Sequence, residues 1–308
     1  MVKQLFIMSL VAMFLVPPMP VPAFAAPKVA VAIIANGGQP YEAILHSIQE
    51  TLGAKLAAQD ILVIPFEKEM LKDPVQVQAA LKKNGASVLV AVGTSMAKIA
   101  QKAGMGMPIV FTMVLGPDRS GVVPPGISMD IPYAVKLKEA SDILGRKIRA
   151  GVIYSENSLQ EVEKIKDGCV KAGCELSSVK VEGEKDFPDA VAQIMKDSDV
   201  ILMIADSKIY FPRSVEFLLG EALKNKVPVI GLSAAYTKAG ALLAFDCDYT
   251  DLGRQTADVV LDILNGKVPT ASADPERVVY SVNIQVAKRI GVVFSEKILK
   301  SAEKVFGE

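Results

Sequence analysis

The chain has few of the residues on which enzymes and metal sites depend. Its 308 residues include one histidine, three cysteines and no tryptophan, and its formal net charge is zero. A metal site with several nitrogen and sulfur ligands is therefore not expected, and we expect no cofactor. The absence of tryptophan argues against a carbohydrate site built on indole rings. The balanced charge offers no global attraction for nucleic acid or an acidic membrane, so the expected partner is small or neutral.

The first 25 residues have the pattern of a cleavable signal peptide. The uncharged run Leu5–Val16 follows Lys3 and precedes the small-residue cleavage signal Ala23-Phe24-Ala25. A bilayer span needs about 20 apolar residues, so this shorter run favours a signal peptide over an uncleaved anchor. The residue directly after the predicted cleavage site is not a cysteine, so a lipoprotein is not expected. The sequence predicts export to the periplasm.

Strand-like and helix-like segments alternate through the rest of the chain, which predicts parallel sheets. The helices are indicated by apolar residues on one face, at Tyr41–Ala58, Phe211–Lys224 and Asp251–Leu264. The predicted strands are Lys28–Ile34, Ile61–Phe66, Ser87–Val92, Pro108–Met113, Arg149–Tyr154, Glu175–Val181, Val200–Ile204, Val227–Ile230 and Ala241–Phe245. The expected fold class is α/β, with two doubly wound parallel-sheet lobes joined by a hinge.

The alternation breaks between Leu115 and Pro132, where prolines and glycines are dense, which predicts a crossover between the lobes. Similar numbers of predicted strands precede and follow this stretch. We expect the first lobe to comprise residues 26–117, completed by about 239–268. The second lobe is expected to comprise residues 118–238, completed by about 269–308.

Polar residues follow several of the predicted strands. In open α/β sheets, ligands bind beyond the carboxyl ends of the strands, where helix N-termini expose unpaired N–H groups. Facing lobes would bring these edges together around a small ligand. The candidate ligand-binding residues are Gln39, Tyr41, Thr94, Ser95, Thr112, Tyr154, Ser155, Asn157, Asp206 and Ser233.

Three of these residues have an alternative interpretation as helix caps. Thr94 or Ser95 can cap the helix that follows Gly93, and the same geometry can also bind a carboxylate or phosphate. Asp206 follows a very apolar strand, where it can pair with a ligand ammonium or hydroxyl, or act as the capping acid of the next helix.

A catalytic site is not expected. Gly93-x-Ser95-x-Ala97 resembles a degraded nucleophile elbow, but a hydrolase triad needs a histidine after the serine, and this chain has none there. His46 precedes Ser95 and is predicted to be a solvated residue off the apolar stripe of its helix. Asp246 and Asp248 form a possible catalytic pair, although surface positions near a hinge are the favoured interpretation.

Cys169 and Cys174 flank a predicted helix end at Gly173. In an oxidising compartment they can form the chain's single intramolecular disulfide, or they can remain a buried pair of free thiols.

The chain resembles the substrate-binding proteins of ABC transporters, in particular the family that includes aromatic-amino-acid binders. The resemblance covers nearly the whole predicted mature chain and rests on the order and spacing of several motifs. These are Gly93-Thr94-Ser95, Pro108-Ile109-Val110-Phe111-Thr112, Pro117 with Gly121, Asp206, Lys226-Val227-Pro228-Val229-Ile230, Lys238-Ala239-Gly240-Ala241-Leu242, Tyr249 with Leu252-Gly253-Arg254-Gln255, Gly266-Lys267-Val268-Pro269, and Val282-Asn283 with Ala287. The chain departs from the family pattern at Ile127-Ser128-Met129-Asp130 and at Asp246, where the family tends to carry glycine.

The resemblance implies the fold of type I periplasmic binding proteins, and a non-enzymatic, monomeric periplasmic protein that closes on a small-molecule ligand by a hinge. An amino acid is one candidate ligand, and delivery would be to an ABC permease and ATPase in the inner membrane. The alternatives are a subunit that presents a ligand to a membrane receptor, and a carboxylate-based hydrolase.

Overall fold

The computed structural model describes residues 31–35, 38, 41–65, 75, 78–79, 85–103, 106–267 and 269–307. The predicted signal peptide and the candidate residue Gln39 lie outside the described residues. Two lobes, each built on a mostly parallel sheet with helices packed against it, make up the α/β fold.

The sheet of the first lobe has six strands in the described part of the chain, all paired in parallel in the order β11-β5-β4-β3-β1-β2. Every residue of its central strands β1 and β3 is buried, as expected for parallel strands covered by helices on both faces. The strands are β1 (Val31–Ala35), β2 (Ile61–Pro65), β3 (Val88–Val92), β4 (Ile109–Val114), β5 (Gly126–Ser128) and β11 (Ser272–Ala273).

The sheet of the second lobe has the order β13-β12-β10-β9-β8-β6-β7 over the described residues. Its pairs are parallel except that β12 runs antiparallel to β10. The strands are β6 (Arg149–Tyr154), β7 (Glu175–Lys180), β8 (Val200–Leu202), β9 (Val229–Gly231), β10 (Leu243–Cys247), β12 (Val278–Asn283) and β13 (Lys304–Phe306).

Helices connect the strands and cover both sheets. They are α1 (Tyr41–Gly53), α2 (Thr94–Lys102), α3 (Pro117–Ser120), α4 (Tyr133–Leu144), α5 (Leu159–Ala172), α6 (Phe187–Asp197), α7 (Pro212–Asn225), α8 (Ala234–Ala239), α9 (Tyr249–Leu264), α10 (Ile284–Ile290) and α11 (Glu296–Ser301). None of the helices in these ranges is long and apolar enough to cross a membrane.

The helix α9 returns from the second sheet to pack against α1 in the first lobe. Ser47 on α1 donates a hydrogen bond of 2.6 Å to the carbonyl oxygen of Thr250. The two helices approach so closely at Gly253 that a Cβ atom there would lie 2.6 Å from the Cβ of Ser47. A late segment of the chain thereby completes the first lobe.

All nine predicted strands are present, and Arg149–Tyr154 has the predicted bounds. The prediction missed β5, β11, β12 and β13, of which three have only two or three residues. Such short strands are held by their neighbours and carry too few side chains to show a periodic pattern.

The strand pairing differs from the predicted lobe boundaries at two places. β5 lies in the segment assigned to the second lobe but pairs with β4 in the first sheet. β10 lies in the segment expected to complete the first lobe but pairs with β9 in the second sheet. The first crossing therefore follows Ser128, at the end of the proline-rich and glycine-rich stretch.

Cys169 and Cys174 are free thiols. Gly173 ends α5 with a φ of 69°, and the N–H of Cys174 donates to the carbonyl of Cys169 at 2.9 Å. This glycine-terminated turn brings the residues on its two sides together. The structure therefore supports two free thiols rather than a disulfide. His46 is exposed and lies 3.8 Å from Glu50, as a solvated helix residue should.

Candidate functional site

The candidate binding residues that the structure describes lie at or near the carboxyl ends of the parallel strands in both lobes. In each sheet, chain order reverses between two adjacent strands, β1 and β3 in the first lobe and β6 and β8 in the second. Ligands of open α/β sheets bind at such switch points. Over the described residues, no hydrogen bond joins the candidate residues of one lobe to those of the other.

The first-lobe candidates converge on the start of α2. Gly93 occupies the cap position with a φ of 95°, and Thr94 and Ser95 are the first residues inside the helix. The reading of either hydroxyl as the helix cap is therefore wrong, because the cap residue is a glycine without a side chain. Helix geometry leaves the first N–H groups without acceptors inside the helix. Ser95 is exposed at this end of the helix.

Tyr41 and Thr112 flank this helix start. A Cβ atom on Gly93 would lie 3.4 Å from the ring of Tyr41, so the tyrosine covers the glycine. The N–H of Gly93 donates to the carbonyl of Thr112 at 2.8 Å. The structure thus brings together the predicted residues Tyr41, Thr94, Ser95 and Thr112.

Thr112 has an unusual environment. It is fully buried, and its Oγ1 has no hydrogen-bond partner in the described part of the chain. The next residue, Met113, has a φ of 54°, a left-handed conformation that strains a non-glycine residue by about 1–3 kcal/mol. Sequence reasoning missed Met113, because a strained backbone leaves no mark in a run such as Ile109–Val114.

The second-lobe candidates are organised around Asp206. One of its carboxylate oxygens accepts hydrogen bonds from the N–H and Oγ of Ser155 and from the Oγ of Ser158, at 3.0, 2.7 and 2.5 Å. The other oxygen accepts the N–H of Lys208 at 3.0 Å. Burial alone would raise the pKa of Asp206, but the hydrogen bonds from Ser158 and Ser155 lower it overall.

These contacts give Asp206 a structural role. The helix-capping reading is wrong, because α7 begins six residues later at Pro212 and the N–H of Phe211 is bonded by Ser214 Oγ at 3.0 Å. The carboxylate instead ties the loop after β8 to the loop after β6. Four donors already occupy it, which leaves little capacity for a ligand cation.

The remaining second-lobe candidates lie near this cluster in the sequence. Asn157 is exposed and its N–H donates to Ser155 Oγ at 3.2 Å. Tyr154 is the half-buried last residue of β6. Ser233 precedes α8 and its hydroxyl makes no cap hydrogen bond. Neither Tyr154 nor Ser233 forms a side-chain hydrogen bond with Asp206 in the described residues.

Three segments cross between the lobes, after β5, after β10 and after β11. Cys247 Sγ donates to the carbonyl of Met129 at 3.5 Å, which joins the first two crossings. The N–H of Asp248 donates to the carbonyl of Arg277 at 3.2 Å, which joins the second and third. Asp248 also caps α9 by accepting the N–H groups of Thr250 and Asp251. Asp248 is therefore a structural residue of the hinge.

The lobes also touch beside the hinge. Arg119 Nη1 on α3 lies 3.0 Å from Glu161 Oε1 on α5, and Tyr133 donates its hydroxyl to the other oxygen of Glu161 at 2.9 Å. Burial, and then the nearby Glu161 carboxylate, raise the pKa of Tyr133. A cavity of about 580 Å³ lies at this contact, bounded by residues of both lobes. Sequence patterns gave no sign of this ion pair.

The sequence profile of the family described as ABC transporter substrate binding protein matches residues 28–306. The chain belongs to this family. Its members bind small molecules for ABC transporters, and the family is not a class of enzymes.

Among curated proteins, this substrate-binding protein is 23% identical over 208 residues to a tyrosine-binding protein of Clostridioides difficile. That match covers 62% of the chain and 60% of the relative, so it spans less than two thirds of the relative's length.

Two solved structures show the same fold. A ligand-free, open substrate-binding protein with adhesive properties from Clostridium difficile has a TM-score of 0.74 at 20% identity, over 91% of this chain and 100% of that one. An ABC domain in complex with L-Trp from Streptococcus pneumoniae has a TM-score of 0.57 at 20% identity over the same shares. The substrate-binding protein therefore has the two-lobed fold of type I periplasmic binding proteins.

Proposed function

We propose that this substrate-binding protein captures a small ligand with a carboxylate, an amino acid being the leading candidate, between its two lobes. The observation that carries the proposal is the start of α2, where the first N–H groups of the helix and the Thr94 and Ser95 hydroxyls follow Gly93. Gly93 donates its N–H to the carbonyl of Thr112, whose buried Oγ1 has no hydrogen-bond partner in the described residues. Helix N-termini favour anions because their N–H groups and dipole converge there. The relatives named for tyrosine and seen with L-Trp support the ligand class.

The ligand would act by closing the hinge. A molecule held by the first lobe alone does not distinguish open from closed forms, whereas contacts with both lobes stabilise only the closed form. We propose that an ABC permease and ATPase then read the closed form and receive the ligand. The protein would act outside the cytoplasm after cleavage near Ala25. Intact-mass analysis of periplasmic protein should find a chain that begins at or next to Ala26, and full-length protein in membranes would contradict export.

We also propose that the bound ligand is released unchanged. Ser95 lies in an elbow-like motif, but the single histidine, His46, is paired with Glu50 on the exposed face of α1. Mass spectrometry of ligand before and after incubation tests this point, because hydrolysis would change its mass.

The ligand class is tested by calorimetry with L-tyrosine and L-tryptophan on wild-type protein and on Thr112→Val. The variant removes a hydroxyl that has no partner in the described residues, so the apo melting temperature should not fall. A charge-assisted hydrogen bond is worth about 1.5–3 kcal/mol, so losing one to a ligand carboxylate should weaken binding about tenfold or more.

Thr237→Val is the matched control. Thr237 is also a fully buried threonine, but its Oγ1 lies 2.8 Å from Ser281 Oγ in the second lobe. This variant should lower the melting temperature and leave affinity unchanged. Unaltered affinity in Thr112→Val would remove Thr112 from the site, and failure of any amino acid to bind wild-type protein would refute the proposed ligand class.

A further inference from the structure

Asp246 lies where the hinge meets the space between the lobes. It is half-buried near the end of β10 and lines a cavity of about 440 Å³. Ala43 on α1 of the first lobe and Ala234 on α8 of the second lobe line the same cavity. These alanines are close in sequence to Tyr41 and Ser233, two of the candidate binding residues. Residues of both lobes therefore line this cavity.

The Asp246 carboxylate is incompletely satisfied. One oxygen accepts the N–H of Cys247 at 2.9 Å and the hydroxyl of Tyr249 at 3.3 Å. Across the described ranges, no hydrogen bond reaches the other oxygen, and no Lys, Arg or His nitrogen lies within ion-pair distance of it. Removing a carboxylate from water without a cation is unfavourable. Burial accordingly raises the pKa of Asp246, although the hydrogen bonds and the more distant Lys304 and Lys136 oppose the rise.

Asp206 provides the contrast. It accepts four hydrogen bonds and its pKa is lowered. Of these two carboxylates, only Asp246 has an oxygen open to a cavity that both lobes line. A ligand cation that enters this cavity can form a charge-assisted hydrogen bond with that oxygen.

We propose that Asp246 binds a cationic group of the ligand, a primary amine or a guanidinium, and so selects ligands that carry one. This inference rests on the proposed function, and it moves cation recognition from Asp206 to the hinge. Contact with a hinge residue would also connect ligand binding to closure, because Asp246 immediately precedes the crossing at Cys247 and Asp248.

Other charged groups line the same cavity. Lys304 is exposed, and Glu303 and Asp248 add negative charge. Asp248 is occupied as the cap of α9 and as the partner of Arg277 Nε at 3.3 Å. Glu303 is an exposed carboxylate in the same cavity, which makes it the matched control for a non-specific electrostatic effect.

The experiment compares L-tyrosine, tyramine and 3-(4-hydroxyphenyl)propionate by calorimetry on wild type, Asp246→Asn and Glu303→Gln. Wild type should prefer L-tyrosine to the amine-free acid by about tenfold or more, as expected for a desolvated charge pair. Asp246→Asn should lose that preference, and Glu303→Gln should retain it. The apo melting temperature of Asp246→Asn should not fall, because the amide oxygen of an asparagine can accept the same two hydrogen bonds and a neutral amide is easier to bury than a carboxylate.

Several outcomes overturn the inference. If Asp246→Asn is folded and keeps the preference for the amine, Asp246 does not bind the cation. If the amine-free acid binds wild type as tightly as L-tyrosine, the proposed solute binding survives and the cation site does not. If none of the three compounds binds, thermal-shift assays with L-lysine, L-arginine, putrescine, acetate and ribose test whether the protein binds any solute and whether that solute must carry an amine or guanidinium. Stabilisation by amine-free compounds alone overturns the inference, and no stabilisation by any compound overturns the proposed function with it.

Discussion

Replacing Asp206 with asparagine should destabilise the second lobe. An asparagine can keep its oxygen towards Ser155 and Ser158 only by turning its NH₂ group towards the N–H of Lys208, so one hydrogen bond is lost. The other bonds change from charge-assisted to neutral. Hydrogen bonds to charged groups are worth about 1.5–3 kcal/mol, against about 0.5–1.5 kcal/mol for neutral ones.

These differences are offset in part because a neutral amide is easier to bury than a carboxylate. We therefore expect a net loss of about 2 kcal/mol, which corresponds to a fall of roughly 4–8 °C in the apo melting temperature for a protein of this size. Thermal unfolding followed by circular dichroism measures it. Glu163→Gln, an exposed carboxylate on α5 of the same lobe, is the control and should unfold like wild type.

The effect should also depend on pH. The folded-state pKa of Asp206 lies below its ordinary value, so the carboxylate stabilises the fold above an unfolded-state pKa of about 3.9. That stability is lost as the pH falls through the folded-state pKa. The difference between wild type and Asp206→Asn should be present at pH 7 and shrink below about pH 4. Equal melting temperatures at pH 7 would show that the hydrogen bonds around Asp206 do not stabilise the lobe.

Three further predictions concern packing and reactivity. Gly253→Ala should lower the free energy of unfolding in urea by about 1–3 kcal/mol, because its Cβ would lie 2.8 Å from the Ile44 carbonyl oxygen. Helix propensity alone would favour alanine over glycine by about 1 kcal/mol, so a gain in stability would contradict the close packing of α1 and α9. Gly93→Ala should lower the apo melting temperature because its φ of 95° disfavours any side chain, and an unchanged value would show that the loop relaxes freely. Cys174 should react with iodoacetamide before the other two cysteines, because it is half-buried while Cys169 and Cys247 are buried and burial raises the pKa of their thiols. Peptide mass spectrometry that finds Cys247 modified first would refute this order.

Much of the architecture follows from local sequence patterns. Buried runs such as Val88–Val92, followed by amphipathic helices, predict parallel strands because only sheets covered on both faces tolerate such continuous apolar sequence. The positions of Thr94, Ser155 and Asp206 after strands follow from the same alternation. The strand β5 was missed because its three residues carry no periodic signal of their own. The lobe boundaries shifted with it, since strand pairing rather than chain order decides which sheet a short strand joins.

The sequence by itself determined the two-lobed α/β fold and the family, because periodicity and strand ends are properties of neighbouring residues. It also predicts the loops where a ligand would bind. Only the tertiary structure decided what each polar group does there. Asp206 is saturated by Ser155, 51 residues away, and Cys247 is bonded to Met129, 118 residues away. Whether a carboxylate is free or occupied depends on donors that arrive from distant parts of the chain. Asp206 and Asp246 both follow apolar strand residues, and the fold alone satisfies the first and leaves the second open.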